Sequence, residues 1–409
     1  MKGFLVFVSW LGTALVLGQP GPEVLPRTYE TPIPNAEIVV VHAIVPAPGL
    51  EAREAAAWRV LGEALLEGTQ EYTKLQLLTF GSQAGFAPRV TVLPDHLRIE
   101  IAMPKGGLDV AVGLLESMLR RPSLPADEVV SIASEMARRR KGVWQESLDP
   151  YSPDYAAVKP TDVRDLAKRA IQPDRVIISV AGGFPVGDGV RQIQSAFGDW
   201  KPSKVSAPRS DKTLLPLLAR KSEVTTIELR APAVAPADAA YAQTLLAAFA
   251  LGVGKQSSMT RVLREAQGWS YRQEAVLWPT GKGWQPRLIV AMKLPQEDVE
   301  IAERVRKVLL EDVETWTEEH RSRALAMAEA ALTRRLEVSP FWGGPAGPVA
   351  LDVADRAFWT GYGALLGSPG FGPGETLEAM KPVTLDELKS RAKSLLETAT
   401  PAVILGRPG

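Results

Sequence analysis

The sequence predicts an α+β chain made of two structurally similar domains, each a mainly antiparallel sheet packed with helices. Strand-type and helix-type segments are mixed without strict βαβ alternation, which argues against a doubly wound sheet. The segment "TDVRDLAKRAIQPDRVIISVAGG" (161–183) also has a counterpart near the end, "TLDELKSRAKSLLETATPAVILG" (384–406). Both run threonine, acid, a helix with basic turns, proline, then an apolar strand closing in glycine, the mark of one plan used twice. Between them "WKPSKVSAPRSDKTLLP" (200–216) is rich in Pro, Ser and Lys and lacks periodicity, as a linker does. The predicted organisation is a leader over 1–18, a first domain over 19–199, a linker over 200–221 and a second domain over 222–409.

Taken in order, "EIVVVHAIVPA" (37–47) is a β-branched strand run. "WRVLGEALLEGT" (58–69) is an amphipathic helix with Trp58, Val60, Leu61, Ala64 and Leu65 on its apolar stripe. Its other face carries Arg59, Gly62 and Glu63, and a mid-helix glycine costs about 1 kcal/mol relative to alanine. "RVTVLPDHLRIEIAMP" (89–104) reads as two strands around Pro94-Asp95. Helices are expected over 106–122, over 125–146 with Asp127 as N-cap, and over 161–171, followed by a strand over 174–184. The second half repeats the order with a strand over 223–236 and an apolar helix over 238–252. The glycine- and proline-rich stretches 341–350 and 366–377 read as surface loops. Neither has the spacing of a phosphate loop or nucleotide fingerprint.

Composition narrows the function. The 409 residues hold 47 basic and 47 acidic side chains, so no long-range field draws nucleic acid or an anionic membrane. Cysteine is absent, which removes disulfides, thiol catalysis and thiolate-bound zinc. Asn35 is the only asparagine and prolines crowd the loops, a pattern expected of a thermophile. At the start, Lys2 precedes an apolar run from Phe4 to Leu17, shorter than the roughly 20 residues of a bilayer span. This is signal-peptide architecture. The expected protein is exported (periplasmic, associated with the cell envelope or secreted), with a mature chain from about Gln19 and no membrane span after cleavage.

Only His42, His96 and His320 could serve histidine chemistry. None has another histidine three or four residues away, and no glycine-flanked serine elbow accompanies them. They read as core or surface histidines without a shared role.

The helix ending in Gly68-Thr69 carries a resemblance. The sequence is similar to the pitrilysin/insulinase family of zinc peptidases, whose active helix bears an inverted His-x-x-Glu-His motif before a Gly-Thr pair. In that register the two zinc histidines fall on Arg59 and Glu63 and the general base on Gly62, so all three groups are missing. The family's third ligand, a glutamate seven residues after another, falls on Glu135 in "EVVSIASE", after Glu128. An arginine is permanently cationic and repels a metal, so Arg59 is expected to pair with Glu63 or reach Glu135. Glu135 in turn reads as an ion-pair partner of Arg138 and Arg139.

The second half holds "GVGKQSSMTRVLREAQGWSYRQEAVLW" (252–278), which resembles the family's glycine turn, helix and Arg-Glu-x-x-Gly-x-x-Tyr entry into a strand. Met259, Val262, Leu263 and Ala266 form the expected buried stripe, Gly268 suits the helix end, and the spacing lets Arg264 and Tyr271 point to one side. In the family this pair faces the zinc site of the partnering half or subunit, where it contacts substrate. The resemblance implies half of a clamshell: a noncatalytic subunit supplying Arg264 and Tyr271. The resemblance further implies that this chain binds no metal or cofactor and that zinc is held by a homologous partner with the intact motif. Peptides or unfolded proteins are the expected substrates, and nucleic acid is not expected as a partner. The alternative is a catalytically dead homologue acting as a peptide-binding or scaffold protein, in homodimeric form.

Overall fold

Two sheets organise the chain, and both are built from the same strand order. A computed structural model describes residues 26–50, 54–84, 87–140, 154–203, 225–292, 300–332, 351–369 and 371–404. The leader, most of the linker and the loop 341–350 lie outside them.

The first half runs β1 (Arg27–Pro32), β2 (Ile38–Pro46), α1 (Glu54–Ala64), α2 (Lys74–Ala84), β3 (Arg89–Val92) and β4 (His96–Pro104). There follow α3 (Leu108–Arg120), α4 (Ala126–Arg140), a short 3-10 turn (Tyr155–Ala157), α5 (Pro160–Ala170), β5 (Ile177–Gly182) and α6 (Asp188–Phe197). Its sheet has the order β1-β5-β2-β4-β3, with only β1 and β5 parallel. The second half runs β6 (Thr225–Arg230), α7 (Tyr241–Gly252), a π-helix (Met259–Ala266), β7 (Ser270–Pro279) and β8 (Trp284–Met292). It continues with α8 (Ile301–Glu314), α9 (Glu318–Leu332), α10 (Leu351–Leu365), α11 (Pro373–Met380), α12 (Leu385–Thr398) and β9 (Thr400–Ile404). Its antiparallel order β7-β8-β6-β9 repeats β3-β4-β2-β5 strand for strand. The predicted α+β class and the repeat are therefore both present, and α5-β5 and α12-β9 are the segments whose sequences match.

β2 explains why its sequence is an unbroken apolar run. Val39, Val41, Ala43 and Val45 face a core shared with α1, α3 and α5, while Val40 and Ile44 face the other way. A strand covered on both faces loses the polar alternation of a half-exposed one. The second cover is α10, a helix of the other half lying on β2 and β5. Ser179 Oγ donates to the Ala357 carbonyl at 2.6 Å, and a Cβ on Gly361 would stand 2.5 Å from Ser179 Oγ. The glycine is what permits this close approach.

Three local readings change. Asp127 sits inside the first turn of α4 rather than capping it. The strand from 223 is limited to Thr225–Arg230 among the described residues, with a separate bridge from Val234 to Trp284. The stretch 366–377 is not all loop, because α11 begins at Pro373 and is capped by Glu375 Oε2, which accepts from the Gly372 amide at 3.0 Å.

Candidate functional site

On α1 the expected stripe is buried throughout, and Trp58 belongs to it: its indole N–H donates to the Leu93 carbonyl at 3.0 Å. The opposite face departs from a plain polar surface at Gly62, which is buried under β3. A Cβ at this position would lie 2.1 Å from Val92 Cγ2 and 3.5 Å from Val90 Cγ1. Glycine fits here because the edge strand closes directly onto the helix. Arg59 donates from Nη1 to the Tyr155 hydroxyl at 3.2 Å, a partner brought in by the 3-10 turn that the sequence reading missed. Glu63 is exposed, and Glu135 pairs with Arg138 one turn along α4.

These residues do not suit a catalytic zinc, which takes three protein ligands and an open position. Position 59 offers a guanidinium already bonded to Tyr155, and position 62 offers no side chain and no room for one. Two carboxylates without an imidazole remain, one of them engaged with Arg138.

The second segment is built differently. Its helix is wound as a π-helix from Met259 to Ala266, so Met259 and Leu263 are buried while Ala266 is exposed, against the predicted stripe. Gly268 follows the helix at φ +64°, with its amide bonded to the Arg264 carbonyl and the Trp269 amide to the Leu263 carbonyl. That is the left-handed stop that glycine favours. Arg264 is exposed on the last turn. Tyr271 lies at the irregularity between Ser270 and Arg272 in β7, and its side chain is outside the described residues.

The entry to the π-helix is pinned from α8 by one carboxylate. Asp312 accepts from Ser258 Oγ, from Arg261 Nη2 at 3.0 Å to each oxygen, and from the Trp316 indole at 3.0 Å. This group had no sequence signal, because Asp312 stands in an ordinary charged helix. The structure does not bring the two predicted segments into one site. α1 packs on α4, α5, β3 and the 3-10 turn, whereas the π-helix packs on β7, α8 and α7.

A third cluster joins the halves. The Tyr362 hydroxyl and the Gly281 amide donate to Asp95 Oδ2 at 3.0 and 3.1 Å, and His96 Nδ1 lies 2.8 Å from Asp95 Oδ1. Phe358 stacks on Tyr362 and His96, lies 6.1 Å from the His42 ring, and has the Arg98 guanidinium 4.8 Å above it. His42 and His96 therefore share one aromatic neighbour, a relation their spacing did not reveal. Burial pushes His42 below its ordinary value of 6.5 although Glu100 sits 3.2 Å from its Nε2. Burial works to raise Glu100, but the hydrogen bond with His42 and the Arg98 and Arg89 charges outweigh it and hold Glu100 at about 2. His320 stands apart, stacked on Trp316.

Comparison with known proteins agrees with this geometry. Residues 157–314 match the family model described as the peptidase M16 inactive domain. A protease from Helicobacter pylori superposes with a TM-score of 0.70 at 13% identity, over 94% of this chain and 98% of that one. A peptidase M16 inactive domain protein from Pseudomonas fluorescens gives 0.65 at 13% identity, over 93% and 96%. The periplasmic protease PqqL from Escherichia coli gives 0.60 at 13% identity, over 95% of this chain but 48% of that one. No match was found among curated proteins. At these identities the superpositions speak for the fold. Together with the match over 157–314 they bear out the resemblance to the pitrilysin family, the M16 peptidases.

Proposed function

We propose that the chain is the noncatalytic subunit of an exported two-chain zinc metallopeptidase. The observation that carries this reading is α1: its fold is kept, while Arg59 is tied to Tyr155 and the general-base position is closed by Val92. The zinc would be held by a homologous partner with the intact His-x-x-Glu-His motif, and this chain binds neither metal nor cofactor. Arg264 and Tyr271 would reach the partner's site, where a guanidinium and a phenol donate to the substrate carbonyl and the oxyanion that develops from it. The separation of the π-helix from α1 within this chain supports action on a partner rather than on its own first half. So does the length relation, since this chain superposes on about half of PqqL. The periplasmic placement of that protease and the leader-like start favour export. Among the described residues no helix is long and apolar enough to cross a membrane.

Coexpression with the partner tests the reading: peptide hydrolysis should appear in the complex and in neither chain alone. Arg264→Ala and Tyr271→Phe should each lower turnover about 10²–10³-fold, the effect of removing one oxyanion donor, with the zinc content of the complex unchanged. Full activity in both variants removes the role assigned to them. A self-dimer that binds peptides without a partner would instead establish the scaffold reading.

A further inference from the structure

A slot of about 300 Å³ lies between the end of α7, the turn 253–257 and α9. It is at the small end of the range for ligand sites. Its walls are apolar, supplied by Phe249, Val253, Trp316 and Met327, and its lining also includes Lys255 and His320. The turn and α9 meet tightly, since a Cβ on Gly254 would come 2.8 Å from Met327 Cε. Two features give the slot a polarity. Lys255 is exposed and has no ion-pair partner among the described residues, unlike Arg323, which is paired with Glu319. His320 accepts the Thr317 amide at Nδ1 over 3.1 Å, which places its own proton on Nε2 as a donor. The nearby Asp312 is already saturated by Ser258, Arg261 and Trp316. An apolar wall with one uncompensated ammonium and one N–H donor complements an apolar monoanion.

We propose that this slot binds an apolar monocarboxylate, its chain against Phe249, Val253, Trp316 and Met327 and its carboxylate with Lys255 Nζ and His320 Nε2. With ~30 Å³ for each methylene, the share of a water in the liquid, the volume fits a chain of about eight to ten carbons. The site is separate from the Arg264 and Tyr271 reading and does not depend on it.

The test uses the full chain and decanoate below its micellar concentration, followed by calorimetry and melting temperature. Decanoate should bind saturably and raise the melting temperature. Decanol and decyltrimethylammonium should bind at least about ten-fold more weakly, because each lacks the charge-assisted hydrogen bonds. Lys255→Ala should weaken decanoate by a similar factor, and Val253→Trp should abolish binding by filling the slot. A brominated decanoate should quench the wild-type tryptophan emission and lose most of that effect in Trp316→Phe, which locates the ligand even if Val253→Trp misfolds. The proposal is overturned by absence of saturable decanoate binding, by equal binding of decanol, or by quenching that survives in Trp316→Phe. It is also overturned if an N-acetylated dipeptide ending in leucine binds more tightly than decanoate, since that assigns the slot to a peptide C-terminus.

Discussion

Gly62 shows how one residue can shape a face. In sequence it is an expensive glycine in a helix, at the position where the resemblance to the zinc peptidases puts a general base. In the structure its absence of a side chain is what lets Val92 of β3 close onto α1. Alanine would gain about 1 kcal/mol in helix propensity. It would also push a methyl into a valine whose χ1 has little freedom to give way. Gly62→Ala should therefore destabilise by about 1–3 kcal/mol in denaturant unfolding, the usual range for overpacking. Combining it with Val92→Ala should recover much of that loss. A Gly62→Ala protein as stable as the parent would show that the strand does not need the glycine.

Among the elements, the π-helix was legible at its end and illegible at its start. Gly268 announced the stop, and Met259 and Leu263 announced the buried line. The wider winding turned Ala266 out to solvent because i→i+5 bonding places more residues in each turn than the 3.6 assumed. The start depends on Asp312, which is 54 residues from Ser258 and meets it only through the packing of α8. Likewise α1, the β3–β4 hairpin and α5-β5 could be read from local periodicity, whereas the Arg59–Tyr155 contact joins residues 96 apart. Local pattern fixes elements; long-range partners decide what their polar faces do. Asp312→Ala should leave the Ser258, Arg261 and Trp316 donors without their acceptor and destabilise by about 2–4 kcal/mol. Hydrogen exchange should quicken over 258–267 more than over α5 of the other half; uniform acceleration would mean that Asp312 serves general stability instead.

For the whole molecule, the seam between α10 and the first sheet links stability to pH. His42 has its folded value lowered, so the unfolded chain takes up a proton first as pH falls past 6.5, and stability drops. Glu100 is lowered from 4.5 to about 2, so its contribution, on the order of 3 kcal/mol, is present above 4.5 and lost as pH falls through about 2. Both act in one direction, toward acid lability. Melting temperatures between pH 7 and 2 should fall in two stages, and Glu100→Gln should flatten the lower one; an unchanged slope there would separate Glu100 from the seam's stability. The same seam sets an order of assembly. During synthesis an N-terminal domain ordinarily folds as soon as it has emerged. Among the described residues, the face of β2 and β5 that carries Val40, His42 and Ser179 is covered by residues 351–365. The first half therefore leaves the ribosome before the helix that covers this face has been made. Complete packing is thus a late event of biogenesis, and a chain truncated before α10 presents that open face to whatever receives it.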